Sequence, residues 1–306
     1  MQNWFSSIPC GPILTSVTWK MPSRNSIAGK DDTAPRVVDG NSSTFKLRSL
    51  STLVLVPPAL AVAYLGSPYL DVLLAVVAVV LAWEWDRLCG RGKFRESGVA
   101  LMATTLAAVA AAGLTRFDLA VLAAVFGPAL VYGVARLSGH DRPAWSAAGV
   151  LYIALPCVAF AWLRSDPNAG VATAFWLVGS VAASDIGAYF TGRAIGGPRL
   201  APNLSPHKTW AGLFGGIVGG GLAGALAAGI LASPNPPLVI LTSGLVALTA
   251  QAGDLLESAV KRRFGVKDTS AVLPGHGGLF DRLDSLLVAT PAVVILTWLS
   301  DGGVLV

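Results

Sequence analysis

Charge is what this sequence has least of. Asp, Glu, Lys and Arg make up 13% of its 306 residues, where a soluble domain carries about 25%. So few polar side chains cannot cover the surface of a soluble enzyme of this size. A disordered chain is excluded as well, because disorder needs low hydrophobicity and high net charge. Here 54% of residues are hydrophobic, the mean hydropathy is +0.64 and the formal net charge is +5. Cysteine is also scarce. Cys10, Cys89 and Cys157 stand far apart, which leaves neither a zinc site nor a disulfide framework, only small apolar packing residues. The remaining class is an all-α polytopic integral membrane protein.

What is present is a series of apolar windows almost free of charge, and Asp71, near the start of the second, reads as an interfacial residue. A helix crossing about 30 Å of hydrocarbon needs roughly 17–25 apolar residues. Nine windows qualify, near 49–67, 69–85, 98–114, 119–135, 144–163, 169–184, 209–232, 238–253 and 285–300. The uncharged stretch 209–253 must hold two helices, broken at Ser233-Pro-Asn-Pro-Pro237. Nine spans put alternate loops on opposite sides, and 20 of the 22 Lys and Arg residues then share one side. The positive-inside rule makes that side cytoplasmic, with the N-terminus inside and the C-terminus outside. Trp83 and Trp85 fit an aromatic belt at the same interface. Residues 1–45, rich in Ser, Asn, Pro and Thr, have no apolar period and read as a disordered tail without a signal peptide. The membrane-embedded domain is then 46–306.

In the seventh window Gly212, Gly216, Gly220 and Gly224 recur every four residues. Such a ridge lets another helix backbone approach closely. It reads first as a packing face within the chain and second as the interface of a homodimer.

Polar chemistry concentrates in two cytoplasmic loops, 185–208 and 254–284, which flank this glycine hairpin and can converge at the membrane surface. If the eighth helix continues past its window, Asp254, Glu257, Ser258 and Lys261 share one face. Asp254 lies at the end of an apolar span, where an unpartnered charge is costly and a functional or paired role is the default. Further on, Pro274-Gly-His276-Gly277-Gly278 offers backbone N–H groups to an anion. Asp281 and Asp284 then point the same way from the first turn of the ninth helix. Oxygen ligands of this kind suit Mg²⁺, which binds through one or two carboxylates plus substrate phosphates. In the other loop Asp185 ends the sixth span, with Tyr189 and Arg193 on its face. Ser205-Pro206 reads as a helix start, with Ser as cap and Pro at the first position. That would aim N–H groups and Lys208 at a phosphate. Carboxylates, cations and two anion cradles at a membrane surface suit phosphoryl or nucleotidyl transfer to a lipid.

Those same residues carry a resemblance. Ser258-Ala-Val-Lys261-Arg262, then Lys267-Asp268, then Leu273-Pro-Gly-His276-Gly-Gly-Leu-Phe-Asp281-Arg282-Leu-Asp284 resembles the signature of the phosphatidate cytidylyltransferase (CDP-diacylglycerol synthase) family. Asp185, Ala188-Tyr189 and the SPHKTW segment are similar to that family too, and the likeness runs from about residue 45 onward. One departure is Ala211, where many relatives carry an acidic residue after the tryptophan.

The resemblance implies transfer of the cytidylyl group of CTP to phosphatidate, with one or two Mg²⁺ ions, at the inner membrane. On that reading Asp254 and Asp281 hold metal, and Lys261, Arg262, Lys267 and Arg282 neutralise phosphates. Asp284 orients the metal shell or a basic side chain. Asp185, Ser205 and Lys208, with Ser258, His276, Gly277 and Gly278, complete the substrate-binding side. The expected partners are CTP, phosphatidate and bilayer lipid, and no nucleic acid. A CTP-dependent enzyme acting on another lipid precursor would share these loops. A transporter would instead place its ionisable groups near the bilayer midplane between repeated halves, and no internal repeat is visible here.

Overall fold

The computed structural model describes residues 54–270, 272, 277–300 and 305. Among the described residues, nine helices fall on the nine apolar windows. They are α1 (Val54–Leu65), α2 (Tyr69–Cys89), α3 (Glu96–Gly113), α4 (Phe117–Leu137), α5 (Pro143–Ser165), α6 (Gly170–Ala194), α7 (Trp210–Ile230), α8 (Pro236–Phe264) and α9 (Phe280–Leu299). Seven of them, α3 to α9, are long and apolar enough to cross a membrane. The expected tail 1–45, Cys10 and His276 lie outside the described residues, all of which belong to one unit, Asn41–Val306.

Local chemistry explains most of the helix ends. Pro143 stands in the first turn of α5, and Pro236 and Pro237 open α8, where a missing N–H costs nothing. The Asn235 side chain accepts the Leu238 N–H, so the Pro-rich break separates α7 from α8 as expected. Gly265, at φ 74°, closes α8 in the left-handed conformation that glycine adopts freely.

One expected helix start is wrong. Ser205-Pro206 does not cap a helix: Ser205–Thr209 is a strand, β2, paired antiparallel with β1 (Arg199–Ala201). The cap is Thr209, whose extended backbone turns its hydroxyl to accept the Gly212 N–H at 3.1 Å. A β-branched residue suits both a strand end and a cap, so the helix begins four residues later than the Ser-Pro pair suggests.

Helices α2 to α5 form a core of large aliphatic and aromatic side chains that includes Leu81, Leu101, Val131, Val150 and Ile153. Trp85 belongs to this core rather than to an interfacial belt. It is 2% exposed, donates its indole N–H to the Trp145 carbonyl at 2.7 Å and packs on Tyr152 and Phe280. Burying both its ring and its polar tip is worth more here than a position among headgroups. Cys89 and Cys157 are buried free thiols, as packing residues should be.

Helices α6, α7 and α8 pack differently, almost backbone to backbone. A Cβ on Gly220 would stand 2.6 Å from that of Ala247, and one on Gly219 would stand 2.5 Å from the Ala183 carbonyl. Gly216 and Gly224 face Gln251 and Ser243 of α8, whereas Gly212 faces Ala188 of α6. The glycine ridge is therefore filled by the chain's own helices, and a homodimer would need another face.

Candidate active site

Both α6 and α8 run about ten residues past the ends of their apolar windows. These extensions carry the polar loop residues on ordered helix faces. Asp254, Glu257 and Lys261 recur along α8 at helical spacing, and Asp281 and Asp284 occupy the first turns of α9. A cavity of about 760 Å³ opens between α6, the β hairpin, α7, α8 and α9. Its walls bring together Asp185, Ser205, Lys208, Asp254, Lys261, Asp281, Arg282 and Asp284 from the two loops. Tyr189, Arg193, His207, Gln251, Glu257 and Asp268 join them.

Ion pairs set the order inside. Lys208 Nζ lies 2.6 Å from Asp254 Oδ2, which ties the hairpin to α8 across the cavity. Lys261 Nζ lies 2.6 Å from Glu257 Oε2 and 3.0 Å from Asp281 Oδ1, which ties α8 to α9. Lys261, Glu257 and Asp281 are largely removed from solvent, where losing one partner of a buried pair costs on the order of 3–5 kcal/mol; Asp254 is more open to solvent. One carboxylate oxygen, Glu257 Oε1, is buried without a hydrogen-bond partner. Carboxylate oxygens of Asp254, Glu257 and Asp284 lie within 4.8 Å of one another. A buried unsatisfied carboxylate oxygen beside two more acids is a donor set that fits a hard divalent cation.

The cluster differs from the expected pair of Asp254 and Asp281. Asp281 turns its carboxylate toward Lys261 and accepts the Gly278 and Thr269 N–H groups at 2.9 and 3.3 Å. Glu257 and Asp284 stand beside Asp254 in its place. A one-turn offset separates Asp281 from Asp284, and sequence spacing could not say which of them meets α8.

The glycine pair also has a different task from the expected anion cradle. Gly277 has φ 86°, and a Cβ there would meet Asp281 Oδ2 at 2.9 Å, so only glycine serves. Gly278 is buried against Thr269 and Glu84, with its N–H directed to Asp281. Neither residue lines the cavity, and nor do Ser258, Arg262 and Lys267. Arg262 is exposed with Nε 3.4 Å from the Leu204 carbonyl, and Lys267 is exposed.

Glu84 is the residue that sequence reasoning missed. It is fully buried in α2, where its carboxylate accepts the Ser270 hydroxyl and the N–H groups of Leu279 and Phe280, at 2.9 and 2.7 Å for the two amides. It thus caps α9 from nearly 200 positions away and ties Ser270 of the preceding connection to the start of that helix. The signal was available: Glu84 is a carboxylate inside an apolar span, the same ground on which Asp254 stood out. Its neighbour Asp86 has a parallel job, accepting the Arg95 N–H and the Ser97 hydroxyl at 2.8 Å each at the start of α3.

Comparison with known proteins matches residues 46–300 to the profile of the Cytidylyltransferase family. A protein of Brucella suis biovar 1 named phosphatidate cytidylyltransferase is 41% identical over 145 residues, covering 47% of this chain. The chain spans 54% of the length of that relative. The protein of the same name from Pseudomonas aeruginosa is 37% identical over 275 residues, covering 84% of this chain and 98% of the relative. That from Bacillus subtilis is 30% identical over 185 residues, 60% of this chain and 69% of the relative.

Proposed function

The chain belongs to the cytidylyltransferase family, and on that premise we propose that it transfers the cytidylyl group of CTP to phosphatidate. The products are CDP-diacylglycerol and pyrophosphate. The observation that carries this reading is the charge of the cavity wall. Six carboxylates (Asp185, Asp254, Glu257, Asp268, Asp281 and Asp284) face four cations (Arg193, Lys208, Lys261 and Arg282). The formal excess of two negative charges would repel a nucleoside triphosphate and a lipid phosphate alike, unless a divalent cation offsets it.

Asp254, Glu257 and Asp284 would hold that ion. Bound there, Mg²⁺ supplies positive charge against phosphate oxygens. The lipid phosphate is a monoester with a second pKa of about 6, so at neutral pH it is mostly ionised and needs no strong general base. One of its oxygens forms a bond to the α-phosphorus of CTP as the bond to the β-phosphate bridging oxygen breaks, and pyrophosphate carries the electron pair away. The protein's part is to bring two anions together and hold them in line. Lys208 and Lys261 are aimed into the cavity by their carboxylate partners, where they stabilise charge gathering on the leaving pyrophosphate. Asp281 holds Lys261 and the amides around Gly278 in register, and Arg282 adds a further cation at the wall.

The asymmetry of basic residues supports nine spans in the inner membrane, with the cavity and the N-terminus facing the cytoplasm and the C-terminus outside. The test is incubation of purified protein with labelled CTP, phosphatidate and Mg²⁺. Labelled CDP-diacylglycerol should appear only when both substrates are present, vanish with EDTA and return with excess Mg²⁺. Equal labelling of a different lipid acceptor, with phosphatidate inert, would overturn the substrate assignment.

A further inference from the structure

Along α6, Ile186, Tyr189, Phe190 and Arg193 recur at i, i+3, i+4 and i+7, so they form one stripe about 10 Å long. Ile186, Tyr189 and Phe190 are 58%, 59% and 65% exposed. Tyr189 and Arg193 also line the cavity, so the stripe runs from an outer apolar surface onto the cavity rim. Arg193 Nη1 donates to the Tyr189 hydroxyl at 3.0 Å. The contrast with the lysines is informative. Lys208 and Lys261 are each ion-paired to carboxylates, whereas Arg193 makes no ion pair among the described residues and is held by a neutral phenol. Its charge is therefore undiminished. Because the Tyr189 oxygen is the acceptor in that contact, its own O–H remains to donate outward.

We propose that Tyr189 and Arg193 form the subsite for the phosphate of the lipid substrate, distinct from the positions that hold the phosphates of CTP. A guanidinium presents parallel donors that match two oxygens of a phosphate, and the phenol adds a third donor beside them. The ligand class is a phosphomonoester on an acylated glycerol. The exposed Ile186 and Phe190 offer an apolar flank to the acyl chains of such a molecule, about one to two turns from the cation. A polyphosphate nucleotide has no use for that apolar flank. Its charge is met instead by Lys208 and Lys261 on the acidic inner wall.

The inference rests on the proposed transferase reading, and one experiment separates the two. Initial rates are measured for the full chain in detergent micelles, varying dioleoyl phosphatidate at saturating CTP and then CTP at saturating phosphatidate, with Mg²⁺ constant. For Arg193→Gln the KM for phosphatidate should rise about tenfold or more, the size of one lost charge-assisted hydrogen bond, with the KM for CTP within about twofold of wild type. Tyr189→Phe should shift the same constant by a smaller factor, and Arg193→Lys should fall between Gln and wild type. Arg193 is exposed, so these variants test binding rather than folding. A rise in the KM for CTP with that for phosphatidate unchanged would assign the pair to the nucleotide and overturn the proposal. A fall in kcat with both KM values unchanged would overturn it too. If the wild-type chain forms no CDP-diacylglycerol at all, the transferase reading itself fails.

Discussion

Helices α2 to α5 and helices α6 to α8 solve the same packing problem in opposite ways. The first group fills its interior with interlocking leucine, valine, isoleucine and tryptophan side chains set among many alanines. The second removes side chains along the buried glycine ridge of α7, so that its neighbours meet it at the backbone. In a bilayer, where lipid tails are as apolar as leucine, close backbone approach is a main source of helix association. It also brings the polar ends of α6 and α8 near enough for Asp185, Lys208 and Asp254 to line one cavity. The aromatic group is a scaffold, and the glycine group is what gathers the charges.

Substitutions can break this contrast at several strengths. The strongest should be at the carboxylates. Asp254→Asn or Asp284→Asn is expected to lower turnover about a hundredfold or more, comparable with losing one preorganised electrostatic contact, while the protein inserts and purifies as wild type. Near-normal turnover in both variants would remove the metal assignment. Asp281→Asn should also fall by orders of magnitude, through loss of the Lys261 contact. Gly220→Leu should come next. It forces a side chain into the Ala247 contact, and the folded fraction recovered from membranes should collapse, as read by size-exclusion chromatography in detergent. Leu81→Ala in the scaffold makes the opposite error, a void. It should cost about 2–5 kcal/mol and lower the melting temperature, yet leave turnover per folded molecule within about twofold. If Leu81→Ala instead abolished turnover without a stability change, the division into scaffold and site would be wrong.

Glu84 ties the first group to the start of α9 and so tests how the scaffold supports the site. Glu84→Gln keeps the shape but replaces an acceptor with a donor facing other donors. Turnover should drop about tenfold, and amide exchange at Leu279 and Phe280 should accelerate, as measured by mass spectrometry. Unchanged exchange at those two amides would refute its capping role. The smallest effect is expected from deleting residues 2–44, which should leave turnover within about twofold. A folded but inactive truncation would overturn the passive-tail reading.

Much of the architecture was readable from charge spacing alone, because hydrocarbon permits few alternatives to a helix with all its backbone groups paired. The nine windows, the Pro-rich break and the continuation of α8 with Asp254, Glu257 and Lys261 on one face all follow from that constraint. The site was legible only as an inventory. Periodicity places Asp281 and Asp284 on the same side of α9, but the crossing of α8 and α9 decides which one meets Asp254. The strand at 205–209 was hidden because Ser-Pro is also a good helix start, and only pairing with Arg199–Ala201 tips the balance. Trp85 was misplaced because its composition cue is shared by interfaces and aromatic cores. Glu84 was overlooked because its partners lie 186 to 196 positions away, at a separation that no local pattern encodes.

That long reach has a consequence for biosynthesis. A ribosome delivers α2 long before α9, yet the carboxylate on one binds the first amides of the other. Every nascent product that stops short of α9 lacks Asp281, Arg282 and Asp284, and with them part of the cavity wall. On the proposed function, transfer therefore begins only once α9 has docked.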